Sequence, residues 1–248
     1  NNHNVCLKVV NYGVPYHYSK QETINFVANL LDNENPPSFA IFLDGLNDFG
    51  QPGSTLAGEP FFTDLLTSII PKGNDPYRKR GCKSQNLFNL EIISFLQKKI
   101  FKNTYSGKAY FTNYDLPKNY TNESAAKEIS ELFIKNTISL GKICEAYNVQ
   151  CFRFLQPVAA VDYTPPENDA LTIWVQDEEK KSRYKIGYSL IRNFTNKNFL
   201  GINLIDISYL FKDYSGIPYV DGGHYAPRAN KLIAEFIYTA ISPINNHE

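Results

Sequence analysis

The chain of 248 residues balances 25 Lys and Arg against 25 Asp and Glu, so its formal net charge is zero, with 43% hydrophobic and 20% charged residues. No field of one sign is available to gather nucleic acid or an anionic membrane surface, and no apolar run approaches the roughly 20 residues that a membrane-crossing helix needs. The length suits one sizeable core. No repeat or linker divides it, so a single domain over residues 1–248 is expected.

The chain opens Asn1-Asn2-His3-Asn4 and contains no Met. No basic-then-apolar leader follows, so the first residue reads as the product of cleavage or truncation. The β-branched run Val5-Cys-Leu-Lys-Val-Val10 predicts a strand that turns at Asn11-Tyr12-Gly13. Ser19-Lys-Gln-Glu22 has the spacing of a capping box, and Ile24, Phe26, Val27, Leu30 and Leu31 recur behind it at helical intervals. Phe39–Leu43 predicts a second buried strand, running into the loop Asp44-Gly-Leu-Asn-Asp48. Strand, helix and strand with short connections are the pattern of a parallel sheet with crossover helices.

Residues 51–85 read as loop with a short helix over 61–70, followed by helices over 87–101 and 125–147. Strands are predicted at 151–155 and 201–205, separated by a polar excursion over 160–185 that holds the single tryptophan, Trp174, and by a helix over 184–194. Within that excursion the mixed-sign run Asp177–Lys181 reads as a solvated helix face. Tyr219–Tyr225 reads as a loop, and residues 227–241 as a closing helix with Leu232, Ile233, Phe236 and Ile237 on its apolar side.

Four cysteines, Cys6, Cys82, Cys144 and Cys151, permit two disulfides. Cys144 and Cys151 flank a predicted helix-to-strand turn and could pair; four buried thiols are the alternative. The spacings do not fit a zinc site. Asn119, Asn122 and Asn193 each begin an Asn-x-Ser/Thr triplet. With the apparent processing and the even cysteine count, they point to an extracytoplasmic or secreted protein.

Asp221-Gly-Gly-His224 sets a carboxylate and an imidazole three residues apart, with glycines that let the loop turn tightly. A general base needs its imidazole held in one tautomer, which such a carboxylate can do. Gly45-Leu-Asn-Asp48 stands at the carboxyl end of a predicted strand, where parallel sheets place ligands. There Asn47 could aim an amide N–H at a developing oxyanion, and the Gly13 N–H could supply a second donor. Simple polar turns are the plain alternative for both segments.

Taken together, Val9-Val-Asn-Tyr-Gly-Val-Pro15, Ile41-Phe-Leu-Asp-Gly-Leu-Asn-Asp48 and Val220-Asp-Gly-Gly-His-Tyr-Ala-Pro-Arg-Ala-Asn230 resemble the second, third and last blocks of the SGNH/GDSL serine hydrolases. The resemblance spans about residues 5 to 240. It implies a flavodoxin-like, three-layer α/β/α fold around a mostly parallel five-stranded sheet. It also implies an esterase or lipase in which His224 is the general base, Asp221 orients it, and Gly13 and Asn47 are oxyanion donors. Asp48 would brace its loop, while Arg228 and Tyr225 read as structural. His17 reads as lining the pocket or lying exposed on its loop. No metal or organic cofactor is implied.

The family's first block, a Gly-Asp-Ser segment carrying the nucleophile, is not in this chain. Ser19 and Ser215 do not have its context. The first strand and the serine are therefore expected from an N-terminal fragment or companion chain. An acyltransferase acting on the same esters, or an inactive binding subunit of the same fold, are the competing readings.

Overall fold

The computed structural model describes residues 8–32, 35–56, 114–164, 177–195, 197–199 and 201–241. All of them belong to one compact unit. In chain order the elements are α1 (Ser19–Asp32), β1 (Phe39–Asp44), α2 (Leu46–Gly50), α3 (Pro52–Leu56), α4 (Asn122–Ala146), β2 (Gln150–Leu155), α5 (Glu178–Arg192), β3 (Lys197–Phe199), β4 (Ile202–Asp206) and α6 (Pro227–Ile241). The helices predicted over 61–70 and 87–101, Trp174, Cys6 and Cys82 lie outside the described residues.

The described sheet has four strands in the order β1-β2-β4-β3, against the five expected. β1, β2 and β4 run parallel, and β3 pairs antiparallel with β4. Along β2, Cys151, Arg153 and Leu155 face one side, and Phe152 and Phe154 the other. The first side is covered by α1, α4 and α5, through Leu30, Phe133, Leu140, Tyr188 and Ile191. The second is covered by α6, with Ile233 beside Phe152, Phe154, Ile207 and Phe211. Every residue from Cys151 to Val161 is buried, which is why the strand reads as a continuous apolar run rather than an alternation.

Two local expectations are corrected. Lys8–Val10, the described part of the strand predicted over 5–10, is in no strand, and Val9 is 87% exposed. A β-branched run forms a strand only when a neighbour takes up its backbone groups, and among the described residues this one has none. At α1, Ser19 is the first helical residue rather than the cap. Tyr18 takes the cap position, and its N–H donates to Gln21 Oε1 at 3.3 Å, so Gln21 rather than Glu22 reaches back. Asp177, from the charged run, caps α5 by accepting from the Lys180 N–H at 3.0 Å.

Cys144, at the end of α4, is bonded to Cys151 in β2, and both are buried. The bond spans seven residues and staples the crossover turn to the sheet. Closing a loop of that size stabilises by about 2.5 kcal/mol on the chain-entropy account. The double replacement Cys144→Ala/Cys151→Ala is therefore expected to lower the unfolding free energy by about 2 to 3 kcal/mol, read from urea midpoints at constant slope.

Candidate functional site

Pro218–Ala226 folds as a tight hairpin. Tyr219 and Tyr225 form an antiparallel bridge. The Val220 N–H donates to the His224 carbonyl at 2.9 Å, and the Ala226 N–H to that of Pro218 at 2.8 Å. The Tyr225 hydroxyl donates to the Pro157 carbonyl at 2.7 Å, tying the hairpin to the segment after β2. Asp221 and His224 stand at the tip. Asp221 Oδ1 accepts the backbone N–H groups of Gly223 and His224, both at 2.8 Å, and Oδ2 lies 2.7 Å from His224 Nδ1.

These contacts, the Gly223 N–H foremost and the His224 imidazole after it, hold the Asp221 carboxyl below its ordinary range. An ionised Asp221 fixes the ring proton on Nδ1, which leaves Nε2 as the basic nitrogen. The imidazole is 80% exposed and the carboxylate 56%. The pair is thus oriented internally and open to solvent.

The segment after β1 meets this hairpin. Gly45 has φ +119, and a Cβ there would stand 2.6 Å from the Tyr188 hydroxyl, so both conformation and space require glycine. The turn starts α2, where a loop was expected. It also brings Leu46 to within 3.0 Å of where a Cβ on Gly223 would lie. Asn47 follows in the first turn of α2 and donates through Nδ2 to the His17 carbonyl at 2.8 Å. An amide has two N–H donors, and this bond takes one.

Gln51 Nε2 donates to the Tyr16 carbonyl at 3.0 Å, and Asp48 accepts from the Ser19 N–H at 3.2 Å and the Ser19 hydroxyl at 2.6 Å. Asn47 and Asp48 of α2 and its C-cap Gln51 therefore grip residues 16 to 19, and the bracing expected of Asp48 is directed at Ser19. Gly13 stands apart from this arrangement. Its N–H donates to Asn11 Oδ1 at 2.8 Å in an exposed turn.

Beneath this grip lies a polar cluster that sequence reading did not anticipate. Arg153, in the middle of β2 and 0% exposed, pairs through Nε with Asp44 Oδ2 at 2.8 Å. Its guanidinium donates to Thr137 at 2.9 Å and Thr23 at 3.4 Å, and lies 5.5 Å from the ring centres of both Phe42 and Phe133. Asp48 and Glu22 complete the group. Burial, with the Asp44 carboxylate next in weight, pushes Glu22 well above its ordinary value; its side chain is hydrogen-bonded to Asp44. Burial also raises Asp48 from 3.8 to about 7, against the opposing pull of Ser19 and Arg153. The signal in the sequence was an arginine inside the apolar run Cys151-Phe-Arg-Phe-Leu155. Lone arginines are rarely fully buried without a partner.

The linkage has a definite sign. Between about pH 4 and pH 7 the folded chain keeps on Asp48 a proton that the unfolded chain has released. Stability from this group therefore falls as pH rises through that window and levels off above it. Asp48→Asn keeps the shape and an acceptor for Ser19 without the ionisation. Its stability relative to the wild type is expected to rise by a few kcal/mol between pH 4 and pH 7, measured by denaturant titration at each pH.

Ser215 and Arg228, with Tyr214, Ile217 and Pro227, line a cleft of about 420 Å³ at the foot of the hairpin. Ser19 is fully buried, and His17 is half-buried. Among the described residues no group of His, Cys, Asp and Glu is arranged to hold a metal ion, and no helix is long and apolar enough to cross a membrane.

No family model, curated protein or solved structure matches the chain.

Proposed function

We propose that this chain carries the acid–base part of a serine esterase of the SGNH/GDSL type, acting on carboxylic esters of lipid or acetylated-glycan character. The observation that carries the reading is the exposed His224 imidazole, bonded through Nδ1 to Asp221 at 2.7 Å with Nε2 left as the base. A serine from an N-terminal fragment or companion chain attacks the ester carbonyl and gives its proton to Nε2. The tetrahedral oxyanion takes a hydrogen bond from the second Asn47 N–H. The imidazolium then protonates the departing alcohol. Water repeats the sequence on the acyl-enzyme and restores the serine. With a sugar or lipid hydroxyl in place of water, the same steps make an acyltransferase. The buried Cys144–Cys151 bond supports folding in an oxidising, extracytoplasmic compartment.

One observation favours the reading as an inactive binding subunit: the Gly13 N–H, the other expected oxyanion donor, is taken by Asn11. A fluorophosphonate probe separates the two. Purified protein is labelled, digested and sequenced by mass spectrometry. A labelled Gly-Asp-Ser peptide accompanying this chain supports the esterase. Absence of label, with no such peptide present, sinks it.

A further inference from the structure

We infer that Ser19 is a positioning residue, which together with Asp48 and Asn136 fixes the His17 carbonyl and so aims the Asn47 amide. The inference rests on the esterase reading above, in which Asn47 supplies an oxyanion donor. Ser19 Oγ donates to Asp48 Oδ1 at 2.6 Å and accepts from Asn136 Nδ2 at 3.0 Å, so the hydroxyl is pinned from α2 and from α4 at once. The Ser19 N–H is held by the same carboxylate at 3.2 Å and 3.3 Å. Two residues earlier, the His17 carbonyl accepts from Asn47 at 2.8 Å.

Asn47 and Asp48 are adjacent, so the chain of contacts closes on itself. Asp48 sets Ser19, the backbone from 19 to 17 sets the carbonyl, and the carbonyl sets one amide hydrogen of Asn47. The planarity of the amide then fixes the direction of the other hydrogen. A second observation concerns the backbone of the same segment. Tyr16 has φ +68, a left-handed conformation that non-glycine residues adopt rarely, and its carbonyl is the one bonded by Gln51 at 3.0 Å. A serine hydroxyl 2.6 Å from a carboxylate could suggest a nucleophile. Ser19, however, is 0% exposed. Its role is to hold the acceptor of Asn47 in place.

The test compares wild type, Ser19→Ala and Ser19→Thr in the full protein with its serine-bearing segment present, at a temperature where all three are folded. Hydrolysis of p-nitrophenyl acetate gives kcat and KM, and amide hydrogen exchange is read over residues 14–18. Ser19→Ala is expected to lower kcat by about ten- to a hundredfold at unchanged KM, because a misaimed oxyanion donor acts on the transition state alone. Exchange over residues 14–18 should rise, and Ser19→Thr, which keeps the hydroxyl, should restore both readouts.

An unchanged kcat in Ser19→Ala beside an active wild type would overturn the inference, as would a rise in KM alone or an unchanged exchange pattern. If the wild type turns over no ester, the esterase reading falls first. Exchange in the same samples then decides separately whether Ser19 holds the His17 carbonyl.

Discussion

Replacing His224 by Ala is expected to remove fluorophosphonate labelling and ester hydrolysis by a factor of about 10³ or more, with the thermal midpoint unchanged. On the proposed esterase reading the change removes the general base, and a serine hydroxyl at neutral pH is then a poor nucleophile. Asp221→Asn should cost about 10² to 10⁴, because an amide at this position can present an N–H to Nδ1 and favour the wrong tautomer. Neither change should disturb folding by more than about 0.5 kcal/mol, since both side chains are largely exposed and the hairpin is closed by backbone bonds and by Tyr225. Kinetics measured beside thermal melts check both halves of the expectation. A loss of activity that tracked a loss of folded protein would assign the pair a structural role instead.

The largest effect on stability is expected at Arg153. Arg153→Leu should destabilise by about 3 to 5 kcal/mol, because it leaves Asp44 buried without its cation beside Asp48 and Glu22. The cost is that of an uncompensated buried charge more than of lost attraction, since the Thr137 and Thr23 hydroxyls still donate to the Phe133 and Ser19 carbonyls, both at 2.8 Å. The double variant Arg153→Leu/Asp44→Asn should therefore recover a substantial part of the loss. Urea unfolding of the two single variants and the double gives the coupling directly. Additive losses would show that Asp44 and Arg153 do not depend on each other.

The parts of the fold that could be read from sequence are those set by local pattern. The span of α6 was bounded by its apolar stripe, and β2 by its continuous run. The hairpin was marked by two glycines between an acid and a base. What could not be read depends on contacts between distant segments. β3 is three residues long, and only its antiparallel pairing with β4 makes it a strand. Lys8–Val10 shows the converse, a strand-like sequence that has no strand neighbour among the described residues.

The candidate site divides in the same way. His224 and Asp221 are three residues apart, and the hydrogen bond follows from a tight turn. Asn47 is legible as a polar residue at the carboxyl end of β1. Its acceptor at His17 is not, because 30 positions separate the two. Ser19 was misread as a local cap for the same reason, since its partners lie 29 and 117 positions away. Arg153 stood in plain view inside an apolar strand, but nothing local names Asp44 as its counter-ion.

The three side chains that grip residues 16 to 19 come from α2 at positions 47 and 48 and from its C-cap at position 51, and α2 is only five residues long before Gln51 closes it. Each residue turns a helix by about 100°. One residue inserted or deleted between Asn47 and Gln51 would swing Gln51 away while leaving the composition almost untouched. Related chains should therefore keep the length of this stretch to the residue. Gaps in an alignment should begin only beyond Gln51.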